Sequence, residues 1–325
     1  VVIWPNDNKQ KLTNVKVNQT LTLDLKNAGV APVYIPYPVS ETYFKSSSSI
    51  KYTHKENLFN DFTIQTLLPN YLSRQGPCMA KADINADGID DLFIGGAAGQ
   101  AGTLFIQNSG GQFIAKTSSA LDADAQSEDT AAEFLDSDQD GDMDLYVASG
   151  GYEFAPDNKL LQDRLYVNDG KGNFSRKVSA LPTMLISTGT VKASDVDADG
   201  DIDLFVGGRL LPGLYPSAPE SKILLNDGKG NYLDGTNSVA PAIKNLGMVT
   251  DAIWLDLNKD KKEDLIIVGE WMPIKVYLNQ SGKLKDASST YMKFGSTGWW
   301  NRIYAEDMDN DGDKDLVIGN LGLNA

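Results

Sequence analysis

Across 325 residues the chain holds one cysteine and one histidine, so it is nearly without two of the side chains most used in redox, zinc and acid–base chemistry. The lone thiol, Cys78, cannot close an internal disulfide, and cysteine usage therefore gives no redox compartment; its plain reading is a small buried apolar side chain. His54 stands beside Lys55 and Glu56, where a structural hydrogen-bonding role competes with that of a general base. No G-x-S-x-G, H-E-x-x-H or phosphate-binding glycine loop occurs, which leaves the common hydrolase, zinc-protease and nucleotide-binding chemistries without their constellations. No apolar run approaches the roughly 20 residues of a membrane-spanning helix. Positive charge is scarce as well: 29 Lys and Arg stand against 44 Asp and Glu, a formal net charge of −15. That balance argues against nucleic-acid phosphates or an anionic membrane surface as partners. The opening Val1-Val2-Ile3-Trp4 carries no start methionine, signal peptide or lipidation cysteine, and the chain reads as a piece of something longer.

What the chain has in abundance is aspartate at every second position. The pattern D-x-[DN]-x-D-x-x-x-D-L occurs five times, beginning at Asp83, Asp136, Asp195, Asp256 and Asp307, with successive starts 53, 59, 61 and 51 residues apart. Each copy runs into a short apolar stretch such as Leu145-Tyr146-Val147-Ala148 or Leu204-Phe205-Val206-Gly207. A second signal follows each of the first four copies: "LFIQNSGGQF" (104–113), "LYVNDGKGNF" (165–174), "ILLNDGKGNY" (223–232) and "VYLNQSGKL" (276–284). An apolar strand, a turn rich in Asn, Asp, Ser and Gly, and a second strand make a hairpin. One unit of about 50 residues therefore reads strand, acidic loop, strand, linker, strand, turn, strand. Four antiparallel strands at that period is the arithmetic of a β-propeller blade, and the expected fold class is all-β.

The loops carry oxygen ligands at the spacing a hard cation needs. Ca²⁺ takes six to eight oxygens, and a glycine at position 6 permits the sharp turn that wraps them around it. Side chains at positions 1, 3, 5 and 9 with the carbonyl at 7 would close a nine-residue cage. In the first copy these are Asp83, Asn85, Asp87, Ile89 and Asp91; in the second, Asp136, Asp138, Asp140, Asp142 and Asp144. The third supplies Asp195, Asp197, Asp199, Asp201 and Asp203, the fourth Asp256, Asn258, Asp260, Lys262 and Asp264, and the fifth Asp307, Asp309, Asp311, Asp313 and Asp315. An EF-hand is excluded, because no acid stands at position 12 and strand residues follow. The competing reading is a solvated acidic turn. Five copies in one register weigh against it, as does the confinement of 23 of the 44 acids to these segments. One ion per loop, five in all, would bring the formal charge from −15 to −5. The fourth loop departs from the others, with Lys261 in place of the glycine, and is expected to bind most weakly.

The loop D-x-D-x-D-G-x-x-D-L-x-[VI]-G joined to N-D-G-x-G-x-F hairpins resembles the FG-GAP or VCBS repeat of integrin-α-like propellers. More narrowly, "HKENLFNDFTIQTLLPNYLSRQGP" (54–77), "VGGRLLPGLYP" (206–216) and "STGWWNRI" (296–303) are similar to bacterial proteins that combine such repeats with an ASPIC/UnbV module, whose end resembles residues 1–25. The resemblance divides the chain into the end of that module (1–28), a connecting segment that could give strands to another blade (29–75), and propeller repeats (76–325). It implies a propeller usually of seven blades, of which this chain supplies about four and a half. It further implies export, a lipid anchor in the full-length protein, a place at the cell surface or outer membrane, and association with TonB-dependent nutrient importers, as in Bacteroidota.

Within such a propeller the lead-ins to the innermost strands gather at one face. Here they include Glu128-Asp129-Thr130 and Trp299-Trp300-Asn301-Arg302. Paired indoles followed by Asn and Arg could stack on a sugar ring and bond its hydroxyls, so Trp299, Trp300, Asn301, Arg302, Glu128 and Asp129 are the candidate ligand residues. Arg209, Tyr215 and Trp271 follow second strands and stand as further candidates. The expectation is a calcium-stabilised binding or interaction module for a glycan or peptide. Its rivals are a scaffold subunit of an import complex and a calcium-assisted polysaccharide lyase.

Overall fold

A computed structural model of the protein describes residues 1–4, 8–29, 49–293 and 295–322. The chain divides into two compact units, Val1–Ser48 and Ser49–Ala325. In the first, the described residues form a two-stranded antiparallel pair, Val2–Ile3 with Lys9–Gln10. The expectation of blade strands within 29–75 falls partly on residues 30–48, outside the described residues. Residues 49–75 hold no strand, only a short 3₁₀ turn, Asp61–Thr63.

The second unit is built from antiparallel sheets in which sequential strands are neighbours. The first sheet is Met79–Ala82, Asp91–Ile94, Thr103–Gln107 and Phe113–Lys116. The second is Glu128–Leu135, Asp144–Gly150, Arg164–Val167 and Ser175–Arg176. Ser187–Ser194, Asp203–Leu210, Lys222–Asn226 and Tyr232–Asp234 form the third. Met248–Leu255, Asp264–Pro273, Lys275–Asn279 and Leu284–Asp286 form the fourth. Two strands of a fifth follow, Thr297–Glu306 and Asp315–Asn320. The first of these also pairs with the end of the fourth sheet's second strand, matching Glu270 to Trp299. Every acidic loop joins the first strand of its sheet to the second, and the aspartate at position 9 opens that second strand.

Period-two side-chain alternation explains why the middles of the second strands are continuous apolar runs. In the second sheet, Leu145 and Val147 pack with Phe93 and Leu104 of the first sheet, while Tyr146 and Ala148 pack with Leu204 and Val206 of the third. Phe205 repeats the move against Leu265 and Ile267, and Ile266 against Ile303. Each sheet between the first and the fifth is thus buried on both faces. Cys78 belongs to the layer between the first two sheets, and burial raises its thiol pKa far above the ordinary value, which fits a packing role. The segment 58–75 lies over the second and third sheets: Leu68 and Leu72 pack on Tyr152 and Leu210. The buried Asp61 carboxylate accepts the backbone N–H groups of Leu72 and Ser73 at 2.5 and 2.9 Å.

Candidate metal loops and ligand cavity

The five acidic loops share one hydrogen-bond plan. The carboxylate at position 1 accepts the backbone N–H of position 6 at 2.7, 3.0, 3.1, 2.8 and 3.1 Å from the first copy to the fifth. The carboxylate at position 5 accepts the N–H of position 7 at 2.9 to 3.1 Å in every copy. Position 4 has a positive φ in all five, at Ala86, Gln139, Ala198, Lys259 and Asn310. Position 6 has one too: Gly88, Gly141, Gly200 and Gly312 adopt φ of 84° to 94°, and Lys261 follows at 68°. A side chain in that region costs about 1–2 kcal/mol. Lys261→Gly is therefore expected to stabilise the protein by about 1 kcal/mol in thermal denaturation. A melting curve that does not move would show that the fourth loop carries no such strain.

Ligand atoms of positions 1, 3 and 5 come within 4.8 Å of one another in three loops, those of Asp136, Asp138 and Asp140, of Asp195, Asp197 and Asp199, and of Asp307, Asp309 and Asp311. These triads could hold a metal ion. In the other two loops position 3 is Asn85 or Asn258, whose amide oxygens accept the position-5 N–H at 3.0 and 2.9 Å. The second loop offers the sharpest sign of a missing partner: Asp136 Oδ1 and Asp138 Oδ1 are buried and accept no hydrogen bond. Burial first, and then the charge of Asp140, raises the Asp138 pKa.

The acids at position 9 stand outside these triads. In the first four copies one oxygen accepts the N–H of position 2 and the other an N–H at the end of the third strand or just beyond it, as with Asp144 from Ser137 at 3.1 Å and Asn168 at 2.8 Å. Asp91, Asp203 and Asp264 repeat this with Gln107, Asn226 and Asn279. Burial pushes Asp144 up to about 6 and Asp203 to about 7, against those backbone bonds, and neighbouring loop acids add to the rise.

A role that the sequence reading did not assign belongs to the hairpin asparagines. Asn168 Nδ2 donates to the carbonyl of Ile84, in the preceding sheet's loop, at 2.8 Å. Asn226 does the same to Ser137 at 2.9 Å and Asn279 to Val196 at 2.8 Å. Each hairpin thus holds the loop of the sheet before it. The same asparagine at the same place in successive hairpins was the available signal; alone it reads only as turn chemistry.

The candidate ligand residues separate. Trp299 and Trp300 are neighbours on one strand, and side chains alternate there, so they form no joint platform. Trp300 packs into the layer between the fourth and fifth sheets and donates its Nε1–H to the Ser296 carbonyl at 2.8 Å. Trp299 instead meets Trp271, with ring centroids 4.9 Å apart. Glu128 and Asp129 are corrected more sharply: they are 2% and 3% exposed. Asp129 is held by Arg164 at 2.5 Å and by the Gly96 N–H at 2.8 Å. Glu128 accepts the Ala98 N–H at 2.6 Å, and burial raises its carboxyl to about 8. Both belong to the packing between the first two sheets, where turn position alone suggested solvent. His54 Nε2 lies 3.0 Å from Glu56 Oε1.

Asn301 and Arg302 do line a cavity of about 260 Å³. It is framed by bulges at the same place in four inner strands, where the pairing slips between Asp129 and Ala131, Thr188 and Thr190, Val249 and Asp251, and Trp300 and Arg302. The skipped residues Thr130, Gly189, Thr250 and Asn301 all face it, since a bulge re-aims a side chain. Asn70, Gln75, Arg209 and Glu270 complete the wall, the last two paired at 2.5 Å and both buried.

A family model of the FG-GAP-like repeat matches residues 83–147 and 256–318. Each stretch runs from one acidic loop through the next, and the third loop, outside both, is built alike. No curated protein matches the chain. Among solved structures it is similar to the V. cholerae biofilm matrix protein Bap1, at 16% identity and a TM-score of 0.38, covering 75% of this chain and 34% of that one. It is also similar to a chain of RAG in complex with one melted and one unmelted RSS, at 11% identity and TM-score 0.42, covering 76% and 79%. A third likeness is to a chain of the BBS1N complex with ARL6DN, at 9% identity and TM-score 0.37, covering 75% and 76%. Among the described residues no helix is long and apolar enough to cross a membrane. The chain carries FG-GAP-like repeats at two places, and such repeats suggest a β-propeller interaction module and are typical of extracellular proteins.

Proposed function

We propose that the chain is part of a calcium-stabilised β-propeller that serves as a binding or interaction module of an exported bacterial surface protein. The observation that carries this reading is the second loop, where two buried carboxylate oxygens lack any donor inside a triad of acids. Ca²⁺ suits an all-oxygen set on a flexible loop. The side chains at 1, 3, 5 and 9 with the carbonyl at 7 would hold it, the position-9 oxygens using the lone pairs left by their backbone bonds. Closure into a propeller is supported by the fifth sheet. Val317 occupies the place of Phe93, Tyr146, Phe205 and Ile266, each covered by a following sheet, yet is 48% exposed. A further blade would cover it.

Residues 1–28 are read as the end of an ASPIC/UnbV-like module. A lipid anchor, an outer-membrane location and an importer complex as partner are proposed on the same resemblance. Metal analysis of protein dialysed against calcium is expected to find about one ion per loop, with the Asp256 loop filling last. Far less than one ion per loop would overturn the calcium reading.

A further inference from the structure

We infer that the cavity at the bulged ends of the inner strands takes the carboxylate and ring of an acidic sugar, a uronate residue. The inference rests on the binding-module reading and deepens it.

The first support is charge. The charged groups on the wall are Arg209, Arg302 and Glu270, so the cavity carries one net positive charge in a chain whose formal charge is −15. Arg209 is 5% exposed and gives one nitrogen to Glu270, while its Nη1 is buried without a hydrogen-bond partner. A buried donor left unpaired is costly, and a ligand oxygen would supply the acceptor it lacks. Arg302 is held only loosely, at 4.0 Å from Asp251. That carboxylate already serves Lys192 at 3.5 Å and the Ile303 N–H at 3.2 Å. Two guanidinium groups, one wanting an acceptor and one free to move, suit a carboxylate.

The second support is the remainder of the wall and its border. Thr130, Thr250, Asn70, Gln75 and Asn301 line a volume of about 260 Å³; the threonine hydroxyls donate to the Thr188 and Trp300 carbonyls at 2.7 and 2.8 Å and keep lone pairs to accept from a polyhydroxylated ring. Glu270 accepts from the Tyr215 hydroxyl at 3.3 Å, which in turn accepts from Trp271 Nε1 at 2.8 Å. Trp271, 58% exposed, sits at the bulge beside Glu270 with φ 57°. A bulky residue is rarely held there. Trp299 packs against it, and the exposed Trp271 indole beside Glu270 offers a surface on which a further sugar unit would stack.

The test is calorimetric titration of the calcium-loaded protein, dialysed free of excess metal, with trisaccharides of galacturonate, glucuronate and mannuronate, and with neutral galactotriose and triglutamate as comparators. At least one uronate is expected to bind, at least tenfold more tightly than galactotriose and triglutamate, and Arg302→Gln is expected to weaken it at least tenfold. Arg209→Met would leave Glu270 buried and unpaired, so the exposed Arg302→Gln and Asn301→Ala are the working variants. No binding by any uronate, equal binding of the neutral sugar, equal or tighter binding of triglutamate, or indifference to Arg302→Gln would each overturn the assignment. Metal content measured on the same sample reports separately on the calcium reading.

Discussion

Treating the protein with a chelator is expected to lower its melting temperature by more than ten degrees. An ion that binds only the folded chain contributes about 2.7 kcal/mol per site at a hundredfold excess over its dissociation constant. For a domain of about 150–250 residues each kcal/mol is worth about 2–4 °C. Asp199→Ala, which removes one triad member, should therefore cost about 5–10 °C in calcium and little or nothing in chelator, where it also removes a repulsion. The pH dependence should change as well. Asp144 and Asp203 have carboxyl groups raised to about 6 and about 7. At these two groups the folded metal-free chain binds protons more tightly than the unfolded one between about pH 4 and 7, and their contribution to stability falls as pH rises through that window. Calcium near these acids would remove their part of the fall and leave that of Glu128, which burial raises to about 8. Identical melting curves with and without chelator would refute the argument.

Asp129→Ala is expected to destabilise the fold by about 3 kcal/mol, because it leaves the buried Arg164 guanidinium without its ion-pair partner and with only the longer-range charges of Asp124 and Asp163. Burial works against that charge, and the pull of Asp129, joined by Tyr166 and Asp124, holds the Arg164 pKa above its ordinary value. Arg164 keeps only neutral partners otherwise, Ser149 Oγ at 3.1 Å and the Tyr166 hydroxyl at 3.4 Å. Asp129→Asn should cost less, since an amide oxygen can still accept the Gly96 N–H. Denaturant melts decide between this and the ligand role that position alone suggested. A variant of unchanged stability that had lost ligand binding would restore the latter.

Much of the architecture was legible because its rules are local. Aspartate at alternate positions, glycine at position 6 and an apolar run after position 9 are all written within a dozen residues, and hairpin turns within ten. Their recurrence gave the four-stranded unit. The doubly buried second strands, such as Asp203–Leu210, read as continuous apolar runs for the same reason. The left-handed backbone at position 4 was not legible, because Ala86, Gln139, Ala198, Lys259 and Asn310 share no chemistry; the loop closure imposes the conformation on whatever stands there.

The aspartate spacing and its repetition thus determined by themselves where the loops lie, which carboxylates they carry and how the strands follow one another. Tertiary structure decided which of the exposed-looking polar residues meet solvent. Glu128 and Asp129 disappear between two sheets, while Asn301, next in the same kind of lead-in, is turned by a bulge into the cavity. Trp299 finds Trp271 across a pairing between the fourth and fifth sheets. Asn168 finds a loop carbonyl 84 residues earlier. Such contacts join separate repeats, and side-chain preference within one repeat cannot encode them. They are fixed only when the sheets stack and each buried polar group must take the partner that the neighbouring sheet supplies.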